Sequence, residues 1–212
     1  MTHIKVCGIT NLADARYASG AGADFLGFIQ HPESPRHIEP GLARDIIAWV
    51  YGSKSVGVFV DCPADEVNGI CDRVGFDFVQ LHGSETVAYC HTIDRPIIKA
   101  FKVWNHTEAA ELEMAMEAYK DVAEYFLLDT GSATAAGGTG ESFDWKVVED
   151  IVVSRPFFLA GGLSPDNVAG AVDRVKPFGL DVSSGVEESP GIKDFGRIDT
   201  FIEQARGTVS NR

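Results

Sequence analysis

The sequence predicts an α/β chain closed into a single (β/α)8 TIM barrel, on three observations. Eight short apolar runs rich in Val, Ile and Phe alternate with stretches whose apolar residues repeat at helical spacing. Strict βα alternation makes neighbouring strands parallel, and eight units favour closure over an open sheet. No G-x-G-x-x-G follows the first strand, which removes the signature of the doubly wound alternative.

Taken in order, the first strand is expected over 4–9, with Asn11 capping the helix after it. The second lies at 25–29, and Leu42, Ile46, Trp49 and Val50 stripe its helix. A third at 55–60 precedes the stripe Val67, Ile70, Cys71 and Val74. After the fourth, at 78–81, Ser84 is expected to cap a helix that turns Val87 and Cys90 inward. The fifth covers 97–103, and its helix carries Leu112, Ala115, Met116 and Tyr119. The sixth, at 125–129, is followed by a helix capped by Asp144, with Val148, Ile151 and Val152 apolar. The seventh, at 157–160, breaks at Gly161-Gly162. Ser164-Pro165-Asp166 then supplies an N-cap, a proline at the first helical position and an acid in the first turn. Val168, Ala171, Val172 and Val175 form that helix's stripe. The eighth, at 180–183, ends in Ser183-Ser184-Gly185, and Asp194 caps a last helix bearing Ile198, Phe201, Ile202 and Ala205. One domain over 1–206 results, with a polar tail at 207–212 expected to fray. Two connections are long, 30–39 and 130–143, and both leave the carboxyl ends of strands, where long loops contact or gate substrate.

The 212 residues sit near the short end for such a barrel, so its connections must be tight. A hydrophobic content of 45% suits a full core. Eighteen basic against 31 acidic residues give a net charge of −13, which opposes partnership with nucleic acid or an anionic membrane. An anionic substrate must then be held by a local cup. Cys7, Cys62, Cys71 and Cys90 show no CxxC spacing, as expected of reduced thiols in a cytosol. With no charged leader and no apolar run of membrane length, a cytoplasmic protein is expected, monomer or homodimer.

Polar residues gather where strands end: Cys7, Arg36, Asp61, Gln80, His82, Asp129, Asp181 and Ser183. Such a ring is how barrel active sites are assembled. Free cysteine is usually a buried structural thiol, and Cys71 and Cys90 on helical stripes fit that role. Cys7 differs, because it stands beside Gly8 at a strand end with Lys5 on the same face. A nearby ammonium would lower its pKa from about 8.5 toward neutrality, where it can serve as a base. Asp129 closes an apolar run too far from the next helix to cap it; partly desolvated, it could keep a proton and act as an acid. Ser34-Pro35 stiffens the loop that would aim Arg36 at a carboxylate. His82 reads as readily as a satisfied structural histidine as it does as a catalytic one. Asp181 reads as an acid among amides, orienting a phosphate turn or a sugar hydroxyl. The turns at Gly161-Gly162 and Ser183-Ser184-Gly185 offer main-chain N–H groups that hold phosphate without lysine.

These residues resemble a family. Lys5-Val6-Cys7-Gly8-Ile9-Thr10, Ser34-Pro35-Arg36, Val79-Gln80-Leu81-His82-Gly83, Leu127-Leu128-Asp129, Gly137-Gly138-Thr139-Gly140 with Phe143-Asp144-Trp145, and Asp181-Val182-Ser183-Ser184-Gly185-Val186-Glu187 are similar to phosphoribosylanthranilate isomerases of tryptophan biosynthesis. The likeness runs in order along essentially the whole chain. It implies conversion of N-(5-phosphoribosyl)anthranilate to the 1-deoxyribulose phosphate isomer. By resemblance Cys7 is general base, Asp129 general acid, and Arg36 the contact for the anthranilate carboxylate, with His82 and Asp181 in the substrate-binding set. Gly161, Gly162, Ser184 and Gly185 take the phosphate. No metal or cofactor is implied, since the substrate nitrogen is itself the electron sink. Gln30-His31 departs from the apolar or aromatic pair expected before Ser-Pro-Arg, which bears on the anthranilate pocket. Three rivals stand beside this reading: the sister ribosylamine isomerase of histidine biosynthesis, expected to use two carboxylates; a non-catalytic phosphate-binding barrel; and a thiol redox enzyme, which would lack a resolving cysteine.

Overall fold

A computed structural model describes residues 2–104, 106–130, 145–149 and 151–207. Eight parallel strands close in sequence order: β1 (His3–Cys7), β2 (Phe25–Ile29), β3 (Lys54–Phe59), β4 (Phe78–Leu81), β5 (Ile97–Lys102), β6 (Tyr125–Asp129), β7 (Phe157–Ala160) and β8 (Gly179–Val182). Closure is the pairing of β1 with β8, in which Lys5 stands opposite Asp181. Helices follow each strand: α1 (Leu12–Ala21), α2 (Pro40–Ile47), α3 (Ala64–Val74), α4 (Val87–Cys90), α5 (Ala109–Glu117), α6 (Lys146–Glu149), α7 (Val168–Val175) and α8 (Phe195–Arg206). Four strands keep the expected bounds; β5 ends one residue early, β3 and β8 shift by one residue at both ends, and β1 starts one residue and ends two residues early.

Two apolar layers hold the barrel. The outer one packs helices on strands, and α3 and α8 bury every apolar position expected of them. The inner one fills the barrel with Phe25, Val56, Val58, Ile98, Ala100, Leu127, Phe158 and Ala160, reaching Cys7. Its amino-terminal floor is aromatic. Phe158 meets Phe25 and Phe178 edge-on at 5.2 and 5.4 Å, and Tyr125 stacks on Phe178 at 5.0 Å. Alternation along each strand therefore places rings at the bottom and polar groups at the top of one interior face.

Several helix details differ from expectation. Leu42 and Trp49 are exposed, 50% and 66%, because α2 ends at Ile47 and turns Ala43 and Ile46 to the core. Ala115 faces solvent, since Leu112 and Met116 alone form the i, i+4 buried pair of α5. Val152 lies past the end of α6 and is exposed. Thr86, not Ser84, caps α4 by accepting from Tyr89 N–H, because Ser84 is engaged by Asp61. Ser164 and Pro165 precede α7 in a separate turn, where Asn167 Oδ1 accepts the Ser164 N–H at 2.9 Å. Asn11 and Asp194 cap as expected. Asp144, the glycine-rich Gly137–Gly140 segment, Phe143 and most of the polar tail lie outside the described residues. Unanticipated is a small antiparallel hairpin after a 3-10 turn (Ser184–Val186), made of β9 (Glu187–Ser189) and β10 (Ile192–Lys193).

Candidate active site

A cavity of about 410 Å³ opens at the carboxyl ends of the strands. On one wall, inward alternation along β1 brings Lys5 and then Cys7 to the interior. Lys5 is fully buried and its Nζ lies 2.9 Å from Asp181 Oδ1. Burial works against its charge, but Asp181 and Cys7 outweigh that and hold Lys5 above the ordinary lysine value. The thiol behaves otherwise than expected. Burial pushes Cys7 above its ordinary pKa, and the opposing pull of Lys5 and Lys193 does not reverse it. The cause is depth: the same closure that brings Lys5 near removes the water that would stabilise a thiolate. Gly27 makes this packing possible, for a Cβ there would stand 2.7 Å from Cys7 Sγ.

Across the cavity Asp129 ends β6. His82 Nε2 lies 3.1 Å from its Oδ2, and the Gln80 side-chain amide lies 2.8 Å from His82 Nδ1. With the amide donating to Nδ1, the imidazole directs its Nε2–H at the carboxyl group. Gln80, His82 and Asp129 thus form one chain. Asp61, expected in this ring, is not in it. Its carboxylate turns outward to accept from Ser84 N–H and Oγ–H, at 2.7 and 2.9 Å, and those bonds hold it below the ordinary aspartate value.

Arg36 enters from the loop after β2, where Ser34 Oγ accepts its N–H at 3.1 Å. Its Nε and Nη2 grip Glu187, with distances of 2.9, 3.0 and 2.6 Å. The third wall is made of turns. Gly161, Gly162 and Leu163 after β7, and Ser183 and Ser184 after β8, line the cavity. Gly185 stands just behind it, where a Cβ would meet Leu163 O at 1.9 Å, so only glycine lets the two turns close on one another. Ser183 Oγ is buried and has no hydrogen-bond partner among the described residues. Among the described residues no cluster of three or more His, Cys, Asp or Glu is arranged to hold a metal ion. A thiol and a carboxyl group thus face one apolar-floored cup with glycine turns at one side, and both are groups able to exchange a proton with a bound molecule.

Residues 4–204 match the family model for N-(5'-phosphoribosyl)anthranilate (PRA) isomerase. The chain belongs to this family. The N-(5'-phosphoribosyl)anthranilate isomerase of Geobacter sulfurreducens is 45% identical over 208 residues, covering 98% of this chain and all of that protein. A crystal structure of phosphoribosyl anthranilate isomerase from Thermotoga maritima superimposes with a TM-score of 0.87 at 39% identity, covering 98% and 100% of the two chains. A further isomerase structure, solved with reduced 1-(o-carboxyphenylamino)-1-deoxyribulose 5-phosphate, gives 0.84 at 38% identity, covering 98% and 100%. This chain is accordingly an isomerase of tryptophan biosynthesis that carries out an Amadori rearrangement.

Within this phosphoribosylanthranilate isomerase, Cys7, Arg36, His82, Asp129, Asp181, Gly161, Gly162 and Ser184 all line the one cavity, and Gly185 supports it from behind. The Gln30-His31 departure resolves into two parts. Gln30 is buried and donates through Nε2 to Ile38 O at 3.2 Å, so it braces the loop, whereas His31 faces the cavity. Glu187 and Lys193 were not among the expected site residues. An acid and a lysine six apart in a turn-rich stretch carry no periodicity; Glu187 closes the stretch that resembles the family, and no signal singled out Lys193.

Proposed function

We propose that Cys7 acts as the general base and Asp129 as the general acid of this isomerase. Asp129 donates a proton to the furanose ring oxygen, and the ring opens to an iminium. Cys7 then takes the proton from C2, giving an enolamine that tautomerises to the ketone. Arg36 holds the anthranilate carboxylate through the guanidinium edge that Glu187 leaves open. Main-chain N–H groups of Gly161, Gly162, Ser184 and Gly185 take the phosphate, supplying remote binding energy for the open-chain intermediate. His82 orients Asp129 toward the sugar, and Asp181, fixed by Lys5, faces the sugar hydroxyls. The substrate nitrogen is the electron sink, so the sequence of steps needs neither metal nor organic cofactor. All these groups come from one chain, so a single barrel is the catalytic unit, whether monomer or homodimer. The workplace is the cytoplasm; no described helix is long and apolar enough to cross a membrane.

One observation carries this reading: the thiol of β1 and the carboxyl of β6 face a common cavity that also holds Arg36 and the glycine turns. Asp129→Asn is the test. It should lower kcat by about 10² to 10⁴ while binding of the reduced product analogue persists. Unchanged turnover would remove Asp129 from the mechanism.

A further inference from the structure

Behind Arg36 lies a buried charge cluster that the acid–base chemistry does not use. Glu187, from β9, and Lys193, from β10, are only 5% and 3% exposed. Lys193 Nζ donates to Cys7 O at 2.6 Å, to Glu187 Oε1 at 2.8 Å and to Ser183 O at 3.3 Å. Three acceptors meet the three N–H bonds of an ammonium, although burial still pulls Lys193 below the ordinary lysine value against the opposing pull of Glu187. Glu187 in turn accepts Arg36 Nε and Nη2, which leaves Nη1 with no protein partner among the described residues. Asp14 and Arg197 reach the hairpin only at main-chain atoms, Lys193 N–H and Glu187 C=O.

The count of side chains in mutual contact is two cations to one carboxylate. Arg36 and Glu187 alone would form a neutral pair, offering an incoming anion little more than a dipole. With Lys193 satisfying the same carboxylate, one positive charge is left over, and it sits on the guanidinium whose open edge faces the cavity. We propose that Lys193 is a positioning and specificity residue, which balances Glu187 so that Arg36 keeps a net charge for the carboxylate of the substrate's aromatic ring. The proposal rests on the reading of Arg36 given above. It also gives a chain of net charge −13 one local positive charge for a substrate that carries both a carboxylate and a phosphate.

The experiment compares two substrates, N-(5-phosphoribosyl)anthranilate and its aniline analogue, which lacks only the carboxylate. The readout is the ratio of their kcat/KM values. Lys193→Met should lower that ratio about tenfold or more, mainly through KM for the anthranilate substrate, because a charge-assisted contact is weakened. A purely structural role would depress both substrates alike and leave the ratio unmoved, and that result overturns the proposal. Lys193→Arg, which keeps the charge, should restore the wild-type ratio. If Lys193→Met does not fold, Glu187→Gln decides from the other side. It removes the negative charge and keeps an acceptor for Arg36, so the ratio should stand at or above wild type, and a fall refutes the idea. Arg36→Gln separates the layers. A collapsed ratio there with an intact one in Lys193→Met sinks only this proposal, whereas an intact ratio in Arg36→Gln sinks the Arg36 assignment itself.

Discussion

Gly27→Ala is the sharpest probe of the thiol's role. Gly27 is on β2, paired with Cys7 on β1, and an added Cβ would stand 2.7 Å from Cys7 Sγ, 3.1 Å from Cys7 Cα and 3.1 Å from Lys5 Nζ. Comfortable contact for such atoms begins at about 3.5 Å, so the sulfur must retreat by about 1 Å or swing to another rotamer. A displacement of about 1 Å in a catalytic group can cost about 10²-fold in rate, and crowding a packed core costs about 1–3 kcal/mol of stability. The expected result is therefore a kcat reduced by about two orders of magnitude in a protein that still folds and still binds the reduced product analogue. Steady-state kinetics, a urea unfolding curve and a titration with the analogue supply the three readouts. Gly20→Ala in α1 is the control, because nothing lies within 4 Å of its added methyl group, and it should gain about 0.5–1 kcal/mol without changing turnover. A Gly27→Ala enzyme that is folded and within threefold of wild-type kcat would refute the assignment of Cys7 as the base.

Three further outcomes follow from the same geometry. Burial holds the Cys7 thiol above its ordinary value, so the thiolate fraction, and with it kcat/KM, should climb as pH rises through neutrality. Lys5→Met removes an opposing cation, so the pH profile of Cys7 alkylation by iodoacetamide should move to higher pH; a profile that stays put or moves down contradicts the role given to Lys5. Phe158→Ala empties the centre of the aromatic floor and should cost about 3–5 kcal/mol in urea unfolding. A cost under about 1 kcal/mol would show that these rings are not a stabilising layer.

The barrel was legible because its signal is repetitive: eight β-rich runs and the stripes of α3 and α8 report burial through period alone. Helix ends were less so. Ser164-Pro165-Asp166 has every feature of a helix start, yet the chain at Leu163-Ser164 packs against Gly185 first, and α7 begins about one turn later. Trp49 completes a stripe on paper but lies past the end of α2 at Ile47, in the turn that follows it. At the site, strand-end position was enough to single out Cys7, Asp129 and His82, because alternation fixes which face they share. The same rule misplaced Asp61, whose positive φ of 47 and bonds to Ser84 turn it outward. The direction of the Cys7 shift depends on how much water reaches the sulfur, a property of the closed barrel that no pair of residue types encodes.

The ring-filled floor has a consequence for traffic. Phe25, Phe78, Tyr125, Phe158 and Phe178 stopper the far end of the barrel, so arriving and departing molecules share a single door. A ketose that has just formed must back out past Arg36 and the glycine turns before another ribosylamine can come in. Exit and entry must therefore alternate, and a bound ketose excludes the next ribosylamine.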